Sequence, residues 1–199
     1  MWCPMRNGVI LVCCCLLLVL AGCSVDGSRI KRHGTITEAD ADVRIEPEVQ
    51  DNFDKGVKEL KEGNLEEAIN LFEKVAKKAR RHTAPFINLG IAYTKNAQYE
   101  KAEESFLKAL ELNPGHLVAN TEIGLLYRKT GQFDKARTAY ETALNTSPDY
   151  QPARKNLGIL CDVYIGDLKC ALKHFNEYLA RSPGDEQVTI WVADISNRM

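Results

Sequence analysis

The chain repeats itself with a period of 34 residues, and this constrains its fold more than any other feature. Residues 83–116, TAPFINLGIAYTKNAQYEKAEESFLKALELNPGH, align without a gap with residues 117–150, LVANTEIGLLYRKTGQFDKARTAYETALNTSPDY. Position 8 is Gly90 and Gly124, position 11 Tyr93 and Tyr127, position 17 Tyr99 and Phe133. Position 20 is Ala102 and Ala136, position 24 Phe106 and Tyr140, position 27 Ala109 and Ala143, position 32 Pro114 and Pro148. Apolar groups at Phe86, Leu89 and Tyr93, then at Tyr99, Ala102, Phe106, Ala109 and Leu110, recur at the spacing of one helix face. Each unit thus reads as two helices. Small residues at positions 8, 20 and 27 allow close approach, aromatics at 11, 17 and 24 fill the space, and proline at 32 ends the unit.

Two weaker copies flank this pair. Residues 49–82 keep Gly56, Gly63, Leu65, Ala68, Phe72 and Val75, with Glu59 in place of the tyrosine and Arg80 in place of the proline. Residues 151–184 keep Leu157, Gly158, Phe175 and Pro183, provided one extra residue is placed between their helices; Ala171 then takes position 20 and Tyr178 position 27. The last segment, DEQVTIWVADISNRM, puts Val188, Trp191, Val192 and Ile195 on one face and reads as a capping helix over the open end of a repeat array.

The 34-residue pattern resembles the tetratricopeptide repeat (TPR) family. The resemblance implies an all-α superhelix of about four helix-turn-helix repeats over residues 49–199, with residues 185–199 as the cap. It also implies binding of a protein or peptide in a concave groove lined by first helices. In the family, ligand contacts concentrate at positions 2, 5, 6, 9, 12 and 13. Those positions include Ile87, Asn88, Ile91 and Thr94, then Thr121, Leu125, Arg128 and Lys129, then Lys155, Asn156 and Ile159. Asparagine at position 6 grips a peptide backbone in some relatives, since an amide both donates and accepts. Asn88 and Asn156 match that pattern, with Glu122 interrupting it. Ile87 and Ile91 replace two of the basic residues by which chaperone-binding relatives hold a terminal carboxylate.

The amino terminus suggests a compartment. Arg6 is the only charge before Asp26, and Val9 to Ala21 is an apolar run of 13 residues, shorter than the ~20 of a membrane span. A charged start, a short apolar block and small residues at its end are the marks of a secretory signal. Leu20-Ala21-Gly22-Cys23 resembles a bacterial lipobox. That resemblance implies cleavage after residue 22, lipid on Cys23, and membrane attachment through it. Ser24 implies the outer membrane, facing the periplasm, in a cell with two membranes. Residues 23–48 then read as the lipidated cysteine and a flexible tether, rich in Gly, Ser, Thr, Asp and Glu.

The mature chain would carry 25 Lys+Arg against 27 Asp+Glu, without the basic face usual for nucleic-acid binding. No glycine-rich phosphate loop or His-Glu-x-x-His is present, the four histidines are scattered as surface residues, and we expect no enzyme, cofactor or metal. Outside the cytoplasm thiols are readily oxidised. Cys161 stands at position 11, Cys170 just before position 20. Two cysteines lack the further ligands of structural zinc, and no C-x-x-C redox motif occurs. We expect a disulfide stapling the irregular fourth repeat, with buried reduced thiols as the alternative. By resemblance, the plan is similar to TPR lipoproteins that support assembly of type IV pili and their secretin pore. An adaptor for cell-wall, division or polysaccharide-export machinery is the second reading, and a small hydrolase or subunit of a catalytic complex the third.

Overall fold

The computed structural model describes residues 46–199; the signal, Cys23 and most of the tether lie outside the described residues. Among those described, nine α-helices follow one another with no strand. They are α1 Pro47–Glu62, α2 Leu65–Lys78, α3 Thr83–Lys95, α4 Tyr99–Leu112, α5 Leu117–Lys129, α6 Phe133–Thr146, α7 Gln151–Ile159, α8 Leu168–Leu179 and α9 Glu186–Arg198. A π-helical segment, Leu160–Ile165, extends α7. Pro47 and Glu48, assigned to the tether by sequence, belong to α1. Proline suits a first helical position, where no N–H partner is needed.

One contact recurs inside every helix pair. The ring at position 24 lies directly against the glycine at position 8: Phe72 on Gly56, Phe106 on Gly90, Tyr140 on Gly124 and Phe175 on Gly158. A Cβ at Gly124 would stand 2.5 Å from Cε1 of Tyr140, so any side chain there would force the helices apart. Ala68, Ala102, Ala136 and Ala171 are fully buried beside these rings. The core is therefore a row of four aromatic rings, each roofed by its own first helix.

The turn between paired helices needs a left-handed residue at position 15. Gly63 (φ 87°) and Gly131 (φ 78°) supply it, and Ala97 adopts φ 58° at the same place. In repeats 1 to 3 the amide at position 16 donates to the carbonyl at position 11, as in Gln132 to Tyr127. In the fourth repeat Asp167 donates to Cys161 and Gly166 takes φ 77°. The extra residue is thus absorbed by widening the last turn of the first helix into a π segment, a common way of housing one insertion. Position 11 keeps its place.

Position 11 is also a junction. Tyr93 donates its hydroxyl to Glu73 of the preceding repeat at 2.5 Å and lies under Lys101 of its own second helix. Tyr127 donates to Glu103 at 2.9 Å and lies under Lys135. Cys161 instead bonds covalently to Cys170, with Cα atoms 5.8 Å apart. Lys101, Lys135 and Cys170 are equivalent positions, so a disulfide replaces a cation–π contact in the fourth repeat.

Repeats end as proline dictates. Asn113 and Ser147, each before proline, are extended, and α4 and α6 stop there. The histidines at position 34 differ from their sequence reading. His82 is buried at 1 % exposure, and both histidines stand at the N-cap position of the following helix, where the His116 ring accepts from the Ala119 amide and His82 makes no side-chain cap bond. The chain needs a non-helical residue between second and first helices, and the tight packing of successive repeats covers it.

The carboxy-terminal helix α9 buries Val188 and Ile195 completely and sets Trp191 5.4 Å from Phe175. Asp185 anchors it. Its carboxylate accepts from Lys155 Nζ at 2.7 Å, the Tyr178 hydroxyl at 2.9 Å and the Val188 amide at 3.1 Å. The hydrogen bond from Lys155 comes first among the causes that hold this carboxyl down at about 2, followed by those from Val188 and Tyr178.

This packing has measurable consequences. Gly124→Ala gains helix propensity but drives a methyl into a ring that cannot retreat, so denaturant unfolding should show a net loss of about 1–2 kcal/mol. Ala97→Gly removes a left-handed alanine and should raise stability by about 1 kcal/mol in the same assay. The pH dependence of the cap has a definite sign. Because the folded carboxyl of Asp185 titrates below its unfolded value, its contribution is complete above about pH 4 and is lost as pH falls toward about 2. Trp191 fluorescence should report undocking across that range. Asp185→Asn should weaken docking at neutral pH and flatten the response; a wild-type signal unchanged between those pH values would remove Asp185 as the anchor.

Candidate functional site

The first helices α3, α5 and α7 line one face of the array, and the sequence-derived groove residues divide sharply when placed on it. Ile91, Thr94, Leu125 and Arg128 line a single cleft of ≈ 320 Å³, together with Lys129. They stand at positions 9 and 12 of α3 and α5, two successive turns of neighbouring helices, which is why they converge.

The others are placed differently. Ile87 and Thr121 are buried among the helices, and the Thr121 hydroxyl donates to the Leu117 carbonyl. Asn88 and Asn156 each donate an amide N–H to their own helix, to Ala84 and Pro152 at 2.9 and 2.8 Å. These short-range bonds tie the amides to the backbone four residues earlier. Lys155 turns toward the cap, paired with Asp185 and lying over the rings of Tyr178 and Trp191. Ile159 packs against the core.

The cleft also takes in Lys95 and Glu122, at positions 13 and 6, and Tyr164, which none of those repeat positions supplies. Tyr164 comes from the π segment. Its ring lies 5.5 Å from the Arg128 guanidinium and 5.3 Å from the ring of Phe133. Its neighbours Val163 and Ile165 are 66 % and 38 % exposed. The extra residue thus builds an apolar ridge at one end of the cleft, and the Cys161–Cys170 bond clips the segment that carries it. No family position numbers an inserted residue; the insertion itself was the signal.

The electrostatics are mixed but lean positive, with Lys95, Arg128 and Lys129 against Glu122. Beneath the cleft, burial pushes the Tyr140 phenol up. Arg128 opposes that rise, while Glu122 and Tyr164 add to it, so its hydroxyl lies within the field of three cleft residues. The strongly shifted acid–base groups on other elements do not face this cleft. Burial, followed by Lys173, Arg154 and Arg137, lowers His174 on α8 to about 4, and Asp185 holds the cap. Among the described residues no cluster of three His, Cys, Asp or Glu side chains is placed to hold a metal ion. No described helix is long and apolar enough to cross a membrane.

A larger concavity of ≈ 620 Å³ lies on the opposite face, between α2 and α4 over Phe86, Leu89 and Tyr93. Size does not make it the better site. Groups on its rim pair with one another or with its floor: Lys108 with Glu104 at 2.7 Å, and Tyr93 with Glu73. The smaller cleft is lined by one side chain with a polar atom that has no hydrogen-bond partner, Arg128 at Nη1.

Comparison with known proteins agrees with this architecture. The sequence model of the tetratricopeptide repeat family matches residues 85–116 and again residues 119–150. No curated protein shows significant sequence similarity. Among solved structures, MamA from Desulfovibrio magneticus RS-1 superposes with a TM-score of 0.66 at 22% identity, covering 78% of this chain and 87% of that one. A thermophilic TPR protein of Thermus thermophilus gives a TM-score of 0.63 at 22% identity, over 70% of this chain and 77% of that one. A tetratricopeptide repeat protein from Parabacteroides merdae gives 0.65 at 20% identity, over 74% and 58%. With two matched repeats, helices packed in successive pairs and neighbours of the same fold, the chain carries tetratricopeptide repeats and folds as an all-α tetratricopeptide-repeat array.

Proposed function

We propose that this protein is a lipid-anchored scaffold of the bacterial envelope that holds a protein partner in the concave cleft between α3, α5 and the π segment. The single observation that carries the binding part is convergence. Ile91, Leu125 and Tyr164 present apolar surface, and Thr94, Arg128 and Lys129 polar groups, around one opening. Support for the envelope comes from the sequence, where a secretory-type start ends in Leu20-Ala21-Gly22-Cys23. A disulfide between Cys161 and Cys170 fits an oxidising compartment. In this reading Cys23 carries the lipid, the protein sits on the periplasmic side of the outer membrane, and it assists assembly of an envelope complex such as a type IV pilus or secretin.

Crosslinking in intact cells tests the reading. A photoreactive residue at position 91 or 125 of the full chain should capture one dominant envelope protein, and the same residue at Ile190, on the exposed side of α9, should not. Capture of a secretin or pilus component supports the assembly role, whereas a cell-wall or polysaccharide-export enzyme selects the adaptor role. No specific capture at either groove position would sink the groove as the binding site. Labelling with a fatty-acid probe, lost in Cys23→Ser, tests the anchor separately.

A further inference from the structure

The turn of the fourth repeat is apolar where the others are polar. Aligned on the left-handed residue, Gly63, Ala97, Gly131 or Gly166, the two preceding positions hold Lys61-Glu62, Lys95-Asn96 and Lys129-Thr130, and then Tyr164-Ile165. Val163 comes just before them. These three consecutive side chains are 66, 43 and 38 % exposed, and none belongs to the apolar core. The turn needs no apolar group in order to form, as three repeats demonstrate. Single exposed apolar residues such as Ile190 are ordinary, whereas a contiguous ridge marks an interaction surface.

The ridge divides two openings. Tyr164 lines the cleft of ≈ 320 Å³ with Ile91 and Leu125, and with Ile165 it also lines a second hollow of ≈ 460 Å³, beside Phe133. A chain segment that crosses the ridge meets apolar surface on both sides. The charges beside it are unbalanced. The first opening holds Lys95, Arg128 and Lys129 against Glu122, and the second Lys135 and Arg137 against Asp134, in a chain whose net charge is −1. The carboxylates of the turn itself are engaged within the fold: Asp162 accepts from Arg198 at 2.6 Å, and Asp167 from the Cys170 amide at 3.0 Å. A negative segment is attracted here and a positive one repelled.

We propose that the Val163–Ile165 turn is a docking ridge for an acidic segment of the partner protein, which lays an apolar side chain against Val163 and Ile165 and turns its carboxylates toward Lys95, Lys129 and Arg137. This rests on the concave cleft being the protein-binding site and names the chemistry of what enters it. The Cys161–Cys170 bond holds the ridge in place before the partner arrives, so that less order has to be gained on binding.

Fluorescein-labelled 12-residue peptides, amidated at the carboxy terminus, test it on the full chain in detergent by fluorescence anisotropy. Each carries Leu-X-X-Phe-X-X in a Gly/Ser background, with X as Asp, Asn or Lys. The Asp peptide should bind about tenfold more tightly than the Asn peptide at low salt, a margin that falls to about twofold at about 0.5 M salt, and the Lys peptide should not bind. Val163→Asn should weaken the Asp peptide about fivefold at an unchanged melting temperature, and Ile190→Asn should change nothing. Equal binding of the three peptides, binding of none, or affinity indifferent to Val163→Asn would overturn the proposal. A fluorescent probe at position 163 that is blue-shifted by phosphatidylglycerol vesicles alone would assign the ridge to the membrane and overturn it too. In intact cells, capture from positions 91 and 125 but not from 163 would remove the ridge and leave the cleft standing; no capture from 91 or 125 counts against the cleft itself.

Discussion

The contact of a ring with a bare glycine organises the described domain. At Gly56, Gly90, Gly124 and Gly158 the first helix approaches its partner so closely that an aromatic edge takes the place a methyl would occupy. This approach sets the spacing within each pair. The spacing in turn brings position 11 of the first helix over position 19 of the second. It also stacks one pair on the next through tyrosine–glutamate bonds such as Tyr127 to Glu103. Because each repeat contacts only its neighbours, stability accumulates from one unit to the next and the ends need separate treatment. At the carboxy end α9 supplies it, with Lys155 recruited from the groove-side helix to hold Asp185.

The fourth repeat shows how this architecture tolerates a departure. One additional residue would shift every later contact if it entered the second helix. The π segment absorbs it before Gly166 instead, so that Ala171 and Phe175 regain their places. The cost of a widened turn is offset locally. Cys161 and Cys170 cross-link the two helices at the pair of positions that carry tyrosine and lysine in the preceding repeats. The same device has a second consequence: the displaced turn carries Tyr164 toward α5, where it meets Arg128 and closes one end of the cleft. An irregularity in spacing becomes a feature of the binding surface.

Within that surface, packing and binding make different demands on the same side chains. Ile87 and Thr121 occupy positions that face ligand in many repeats, yet here they are consumed by helix packing. Lys155 is consumed by the cap. Ile91, Leu125 and Arg128 stay half-buried and line the cleft. The cleft is short, and its chemistry depends on a few residues from three elements rather than on an asparagine ladder along the array.

The helix pairs, their phase, the roles of positions 8, 20 and 24, and the capping helix were all legible in the sequence. Each follows from local periodicity and from residues whose size or backbone freedom admits few alternatives. The 34-residue spacing also placed Cys161 and Cys170 on facing helices. Which groove positions stay available was settled only by the packed fold, because that depends on contacts between helices far apart in the chain: Lys155 with Asp185, Arg128 with Tyr164. The same holds for Tyr140. In the sequence it is one more aromatic at a core position. In the packed fold its ring lies against Gly124 of the facing helix and its hydroxyl is buried without a hydrogen-bond partner. No periodicity encodes that burial; the close approach of two helices does.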